Sequence, residues 1–366
     1  MNILFVNPSL YSGSDLYTLP KVKSIKDTMA YNFALGFLRN GHSVTLYAAA
    51  DFRPTETETY DFEVIFDETK YKKVCNSAIP YMVHLRKYLE SRRRSLDLVI
   101  SSEVFSVASL TVCRSIPAEK IILWHELALH QRKFHKLPSK FWYNIVARIF
   151  ERRALVIPRS AAAGTFIRNY MPRVSEDFVE HGINTDNFVY NKEKKNQFIV
   201  VAQLILRKNI PSIIEKFARF IEKYKLDYRL LIVGRGELQS ALQAQVDSLK
   251  LSGRVVLCGF KSHSELRNLL ADSRAMLVDT RQDDNMVSIP EAIACGTPVL
   301  TNNVPTTFVA AKGVGVQKEW NEDDLFAMTM NDEMIEKCAA VRKEISNEFL
   351  ADKMIRLWEK SQNKGE

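Results

Sequence analysis

Short apolar, β-rich runs alternate with helical stretches along the whole chain, and the rhythm breaks once. Before the break the strands read Asn2–Val6, Ser43–Ala48, Phe62–Ile65, Leu96–Ser101, Lys120–Leu123, Ala154–Ile157 and Asp177–Glu180. Helical patterns lie between them, over Asp27–Asn40 (with Gly41 as its stop), Tyr81–Arg94, Ser139–Arg153 and Ala161–Tyr170. The break is Gly182–Asn196, a polar, charged stretch that reads as a linker. The alternation then resumes with strands Gln197–Val201, Tyr228–Ile232, Val255–Cys258, Ala275–Val278 and Pro298–Leu300. Its helical patterns are Ile210–Lys223, Leu238–Leu249, Asn321–Met328 and a long Asp332–Gln362 interrupted near Asn347. The strands are almost continuously apolar, as parallel strands covered by helices on both faces must be. Two βαβ arrays on one linker predict an α/β protein with two doubly wound, parallel-sheet Rossmann-like domains facing each other across a cleft. They are expected at 1–188 and 189–345, with 346–366 a terminal helix packing back on the first. In such sheets ligands bind beyond the carboxyl ends of the strands, so the residues that follow each strand carry the functional information.

At 366 residues the chain can bury a core without staples. Its five cysteines (Cys75, Cys113, Cys258, Cys295, Cys338) are scattered and form no CxxC pair. That speaks against a structural zinc site and for a reducing compartment. The start has no basic n-region, and no apolar run approaches the ~18 residues of a membrane span. The net charge of +8 lies mainly before residue 190. It suits either an anionic partner or simple solubility.

The most informative stretch is Asp279–Leu300, a strand end running through a polar loop into a short helix closed by Gly296. Pro290 is tolerated only in a first helical turn, so the helix begins near Val287 or Ser288. Its unpaired N–H groups at Val287–Ile289 and its dipole then suit a diphosphate. Asp283 precedes this helix and Glu291 lies inside it. Each can accept hydrogen bonds from hydroxyls, of a sugar on one side and a ribose on the other. The alternative is a pair of surface acids beside an ordinary helix cap.

This constellation, followed by Gly296-Thr-Pro-Val299, resembles the retaining GT-B glycosyltransferases of glycosyltransferase family 4 (glycosyl transferases group 1). That group has two acids separated by seven residues, then an Ala-rich turn and Gly-x-Pro-Val. The resemblance implies that Asp283 contacts the transferred sugar and Glu291 the ribose. It places the amides of Asn285 and Met286 on the sugar and those of Val287 and Ser288 on the phosphates. Val200–Asn209 resembles the opening of the group's second domain, with Lys208 and Arg207 as diphosphate-binding cations. Gln203 stands where the group usually has arginine. Leu230–Gly236 supplies turn glycines, and Arg254–Phe260 with Lys261 matches the strand end that meets the base, although Phe260 suits a core position equally well. His125, directly after the Ile121–Trp124 run and facing the cleft, matches a histidine near the reacting carbon. The loop after the first strand departs most from the group, with Gly13 as its one glycine near the phosphates.

The function this resemblance implies is transfer of a sugar from a nucleotide-sugar donor, UDP favoured and GDP the alternative, to a hydroxyl of a glycan or lipid-linked glycan. The anomeric configuration is retained, no metal or cofactor is needed, and Lys208, Asp283 and His125 carry the chemistry. Bacterial surface polysaccharide synthesis in the cytoplasm, at the inner face of the membrane, is the expected setting. A non-catalytic nucleotide-sugar-binding or scaffold protein, and a GT-B epimerase or phosphorylase, are the alternatives. No aromatic-basic signature of single-strand binding is present, so nucleic acid is not expected as a partner. Arg132–Arg159 holds eight Lys and Arg against one acid, Glu151. Its Ser139–Arg153 helix combines the polar stripe Lys140, Asn144, Arg148 and Arg152 with bulky apolar residues. It fits either peripheral contact with an anionic membrane or core packing with a solvated face.

Overall fold

The computed structural model of the chain describes residues 1–10, 24–75, 79–128, 136–283, 286–304 and 307–363. They form two compact units, Met1–Ile183 with Ser346–Glu366, and Asn184–Ile345.

The first unit is built on β1 (Asn2–Val6), β2 (Ser43–Ala49), β3 (Glu63–Asp67), β4 (Leu98–Ser102), β5 (Ile121–His125) and β6 (Leu155–Pro158). All are parallel, in the order β3-β2-β1-β4-β5-β6. Ile3, Leu4, Phe5 and Val6 of the central strand are buried on both faces, which explains the unbroken apolar runs. Helices α1 (Met29–Arg39), α2 (Leu85–Arg92), α3 (Val107–Ser115), α4 (Leu137–Phe141) and α5 (Ala161–Ile167) connect the strands. The Thr28 side chain caps α1 by accepting the Tyr31 N–H, and Gly41 at φ +83° ends it as its sequence position predicts.

Three local expectations are corrected. Asp177–Glu180 forms no strand: it touches the sheet edge through single bonds, such as Val179 N–H to the Pro158 carbonyl at 2.9 Å, and of its side chains Val179 alone is buried. Tyr81–Arg94 is not one helix, because Tyr81–Met82 pairs antiparallel with Thr69–Lys70 before α2 starts. Ser139–Arg153 divides into α4 and a wider helix with i→i+5 bonding over Trp142–Glu151.

The second unit repeats the plan with β7 (Lys195–Val201), β8 (Arg229–Val233), β9 (Val255–Gly259), β10 (Ser273–Val278), β11 (Val299–Thr301) and β12 (Gly315–Gln317). The order is β9-β8-β7-β10-β11-β12, again parallel throughout. Its helices are α6 (Ile210–Tyr224), α7 (Gln239–Ser248), α8 (His263–Asp272), α9 (Ser288–Ala294), α10 (Glu322–Met328) and α11 (Asp332–Val341). The predicted terminal helix is two helices, α11 and α12 (Asn347–Asn363), and α12 belongs to the first unit. Leu350, Ala351, Met354 and Ile355 enter that unit's core, and the Trp358 indole N–H donates to the Glu119 carbonyl at 2.7 Å.

Candidate active site

In both sheets the chain reverses direction across the sheet between the first and fourth strands of the unit, β1/β4 and β7/β10. Such a reversal leaves a crevice at the carboxyl ends of the two central strands.

In the second unit, β7 leads into a tight turn over Leu206–Lys208, closed by Asn209 in the left-handed region at φ +47°. Asparagine tolerates that conformation better than most residues. Pro211 then opens α6, where its missing N–H costs nothing. The turn is tied to the segment after β10: the Arg207 carbonyl accepts the Arg281 N–H at 2.8 Å and the Thr280 hydroxyl at 3.0 Å. That tie brings Lys208 onto Asp283, 75 residues away in sequence, in a direct ion pair with its Oδ2. Arg207 donates to the same oxygen at 3.2 Å and to the Gln282 carbonyl at 3.1 Å. Lys208 and Asp283 are largely buried, whereas the Arg207 side chain is 42% exposed. Burial pulls the Lys208 amine below the usual lysine range, and Asp283 opposes this.

A buried network that sequence reasoning assigned no role supports the loop. Asp279, directly after β10, accepts from Ser212 Oγ at 2.8 Å, Lys216 Nζ at 2.7 Å and Asn302 Nδ2 at 3.3 Å. Lys216 also lies 4.1 Å from the Trp320 ring centroid, and the indole N–H donates to the Val278 carbonyl. Its signal was available: an acid immediately after a buried strand.

Helix α9 starts where Pro290 requires. Val287 precedes it without a side-chain cap, and Pro290 sits buried in the first turn. The Ile289 amide turns back on the Met286 carbonyl at 3.0 Å, so of the expected Val287–Ile289 set Ile289 is already engaged. Met286 is buried, and Glu291 is half-buried in the first turn of α9. Burial pushes the Glu291 carboxyl up to about 7, against the pull of Arg267.

Phe260 follows β9 and is 69% exposed, with the Arg235 guanidinium 5.1 Å from its ring centroid, so it is a surface and not a core residue. Lys261 pairs loosely with Glu265 at 3.4 Å. Gln203 is exposed, and its carbonyl accepts the Ile205 N–H. Gly234, at φ +148°, lies where a Cβ would come within 1.8 Å of the Ala202 carbonyl oxygen. Only glycine lets the β8 turn press onto the loop after β7. Gly13 and Asn285 lie outside the described residues.

In the first unit His125 ends β5, but its ring is fully buried. It lies between Phe166, stacked at 5.9 Å, and Tyr143, edge-on at 6.0 Å. Its Nδ1 is 3.1 Å from Oε2 of Glu103, a close polar approach without the alignment of a hydrogen bond. Sequence reasoning overlooked Glu103, the first residue after β4, and Arg159, the first after β6. Arg159 bonds Glu126 Oε2 at 2.9 Å and Ser102 Oγ at 2.6 Å, and its guanidinium carbon sits 4.0 Å from the Trp124 ring centroid. His181 lies 3.4 Å from Arg159, and burial holds its imidazole below the usual range.

The Ser139–Arg153 region has one face packed and one face bare. Ser139, Tyr143, Ala147 and Glu151 point inward. Leu137, Phe141, Ile145 and Ile149 are 44–81% exposed, together with Phe150, Lys140, Arg148, Arg152 and Arg153. Among the described residues no helix is long and apolar enough to cross a membrane.

Comparison with known proteins bears on the family and the fold. Residues 183–325 match the family described as Glycosyl transferases group 1. A stretch of 127 residues is 28% identical to the O-antigen chain mannosyltransferase RfbU of Salmonella typhimurium, covering 35% of each chain. The matched stretches span only 22–35% of the length of the curated relatives. Among solved structures, a glycosyltransferase from Rickettsia africae superimposes with a TM-score of 0.68 at 14% identity, over 99% of this chain and 98% of that one. The Anabaena protein HepE, solved in complex with UDP, gives 0.64 at 14% identity, over 97% and 98%. The chain therefore has the GT-B fold, and its residues 183–325 are the part that matches the glycosyl transferases group 1 family.

Proposed function

We propose that the chain is a retaining glycosyltransferase that moves a sugar from a nucleotide donor to a hydroxyl of a glycan or lipid-linked glycan. A UDP-sugar is the favoured donor and a GDP-sugar the alternative. The observation that carries this reading is the meeting of Lys208 and Arg207 with Asp283 at the β7/β10 reversal, inside the family-matched residues. In this reading the diphosphate takes over the two cations, with the Val287 and Ser288 amides on the same charge. Asp283, released from its ion pairs, accepts hydrogen bonds from the sugar. Arg207 offers a planar fork and Lys208 a point charge, both aimed where negative charge grows as the leaving group departs. Charge neutralisation thus falls to side chains and amides, without a metal ion. Glu291 receives the ribose, and the exposed Phe260 ring meets the base.

HepE was solved with UDP, and RfbU is described as an O-antigen chain mannosyltransferase. The first favours nucleotide-sugar chemistry and the second a polysaccharide-chain acceptor. The bare stripe Leu137, Phe141, Ile145 and Ile149, flanked by exposed arginines and lysine, favours a resting place on an anionic membrane.

The test is a thermal-shift panel of UDP-, GDP- and ADP-sugars on wild type and Lys208→Met. A ligand at 100 times its dissociation constant adds about 2.7 kcal/mol of stability. Wild type is expected to shift with at least one UDP- or GDP-sugar and Lys208→Met to lose most of that shift. A panel that leaves wild type unmoved overturns the donor assignment.

A further inference from the structure

The first unit holds a charged constellation at its own strand-order reversal. Glu103 is the residue immediately after β4, the strand that lies beside β1 at the reversal, whereas His125 ends β5, one strand further out. The two side chains differ in access: His125 is fully buried and the Glu103 side chain is 27% exposed. Glu103 also adopts φ +70°, the left-handed region. For a residue other than glycine this is strained and persists only where neighbours enforce it.

The neighbours do enforce it. The Glu103 N–H donates to the Trp124 carbonyl at 3.0 Å, and its carbonyl accepts the Ser109 hydroxyl at 2.5 Å. Its Oε1 accepts the Glu126 N–H at 2.7 Å, and Oε2 lies against His125. Burial alone would raise the Glu103 carboxyl, but His125 and, behind it, Arg159 hold it below the usual range. A carboxylate is thus fixed in place, kept ionised and left with an open edge at the position where a doubly wound sheet receives its ligand.

We infer that Glu103, and not His125, is the residue of the first unit that receives a substrate hydroxyl, with His125 the buried positioning residue behind it. This rests on the glycosyl-transfer reading above. Glu103 accepts the hydrogen bond of a sugar hydroxyl and orients it, and no proton is transferred. His125 fixes the carboxylate from within, and the left-handed backbone turns it outward.

The experiment measures nucleotide release from UDP-glucose, UDP-N-acetylglucosamine and GDP-mannose, with octyl glucoside as added hydroxyl acceptor. The variants are Glu103→Gln, Glu103→Gly, His125→Gln and the Glu103→Gly/His125→Gln double. Glycine suits φ +70°, so Glu103→Gly removes the carboxylate without a backbone penalty and stays folded. Loss of a hydrogen bond to a charged group predicts a roughly thirtyfold fall in turnover for both Glu103 variants. The donor's thermal shift should remain as in wild type, because the Lys208–Asp283 site is untouched. His125→Gln should cost less, and the double variant should be no slower than Glu103→Gly alone, the mark of one residue acting through another. In ¹⁵N-histidine spectra the His125 ring resonances should move in Glu103→Gly. Glu103 variants that turn over like wild type while His125→Gln is inactive overturn the inference, and so does an unmoved His125 ring. A wild type that releases nucleotide from no donor brings down the glycosyl-transfer reading instead.

Discussion

Glu291→Gln distinguishes a ribose-reading carboxyl from an acid that merely begins a helix. The carboxyl stands at about 7 because it is buried, whereas an unperturbed glutamate titrates near ~4.3. The folded chain thus holds a proton that the unfolded chain gives up. Glu291's contribution to stability is complete below the unfolded value and is lost as the pH rises through about 7. Ribose hydroxyls that donate to the carboxylate act in the opposite sense, favouring the ionised form. Binding must then expel a proton below pH 7, and affinity must rise with pH. Full return to the unperturbed value sets a ceiling of roughly 3–4 kcal/mol at 1.36 kcal/mol per pH unit. Between pH 6 and 8 the same linkage gives about tenfold tighter binding. Calorimetry with UDP or GDP at pH 6, 7 and 8, in buffers of different ionisation enthalpy, reads both the affinity and the proton released. The nucleotide phosphate titrates in the same range, so the quantity that counts is wild type minus Glu291→Gln. Parallel pH profiles for the two proteins would refute the ribose assignment.

Glu151 is fully buried, neither of its carboxylate oxygens has a hydrogen-bond partner among the described residues, and burial drives its carboxyl well above the usual range. With a raised folded value, wild type loses stability relative to Glu151→Leu as pH climbs from 4 to 8. The variant should melt higher at pH 8, by an amount of order 1–3 kcal/mol, and the gap should shrink towards pH 4. A pH-independent gap in melting temperature would count against an orphaned acid. For the bare stripe, co-sedimentation with phosphatidylglycerol vesicles at low salt should fall strongly in Leu137→Ser/Phe141→Ser/Ile149→Ser and in high salt, with neutral vesicles binding weakly throughout. Equal pelleting of wild type and variant would remove the membrane from the proposal.

The fold was legible because its strands are buried on both faces. Nothing polar interrupts Asn2–Val6 or Arg229–Val233 except at a strand start. Asp177–Glu180 looked similar but is a short extended edge. Periodicity cannot tell one buried side chain, Val179, from a strand that is buried throughout. The i→i+5 winding of Trp142–Glu151 was not legible either, since apolar residues recurring every four positions fit both helix types. Its outcome decides which face is bare: Tyr143, Ala147 and Glu151 point inward, and Phe141, Ile145 and Ile149 point outward.

The site was legible as far as strand ends are legible. Asp283 and Glu291 stand out from the loop and helix after β10, and Lys208 from its resemblance to the group's second domain, yet nothing in their spacing shows that Lys208 and Asp283 touch. That contact depends on β7 and β10 being neighbours, a property of strand order. The same rule explains the emphasis on His125 and the neglect of Glu103. A histidine after a strand draws notice by its chemistry, but the reversal selects β4, and so Glu103, over β5. Applied alike to the two sheets, strand order gives the two crevices opposite characters. Two cations and one acid stand at β7/β10, which favours an anion displacing the acid. At β1/β4 an acid is held by a buried imidazole and a guanidinium, which favours neutral hydroxyls. Under the proposed function the β7/β10 crevice receives the diphosphate, and the β1/β4 crevice a neutral hydroxyl.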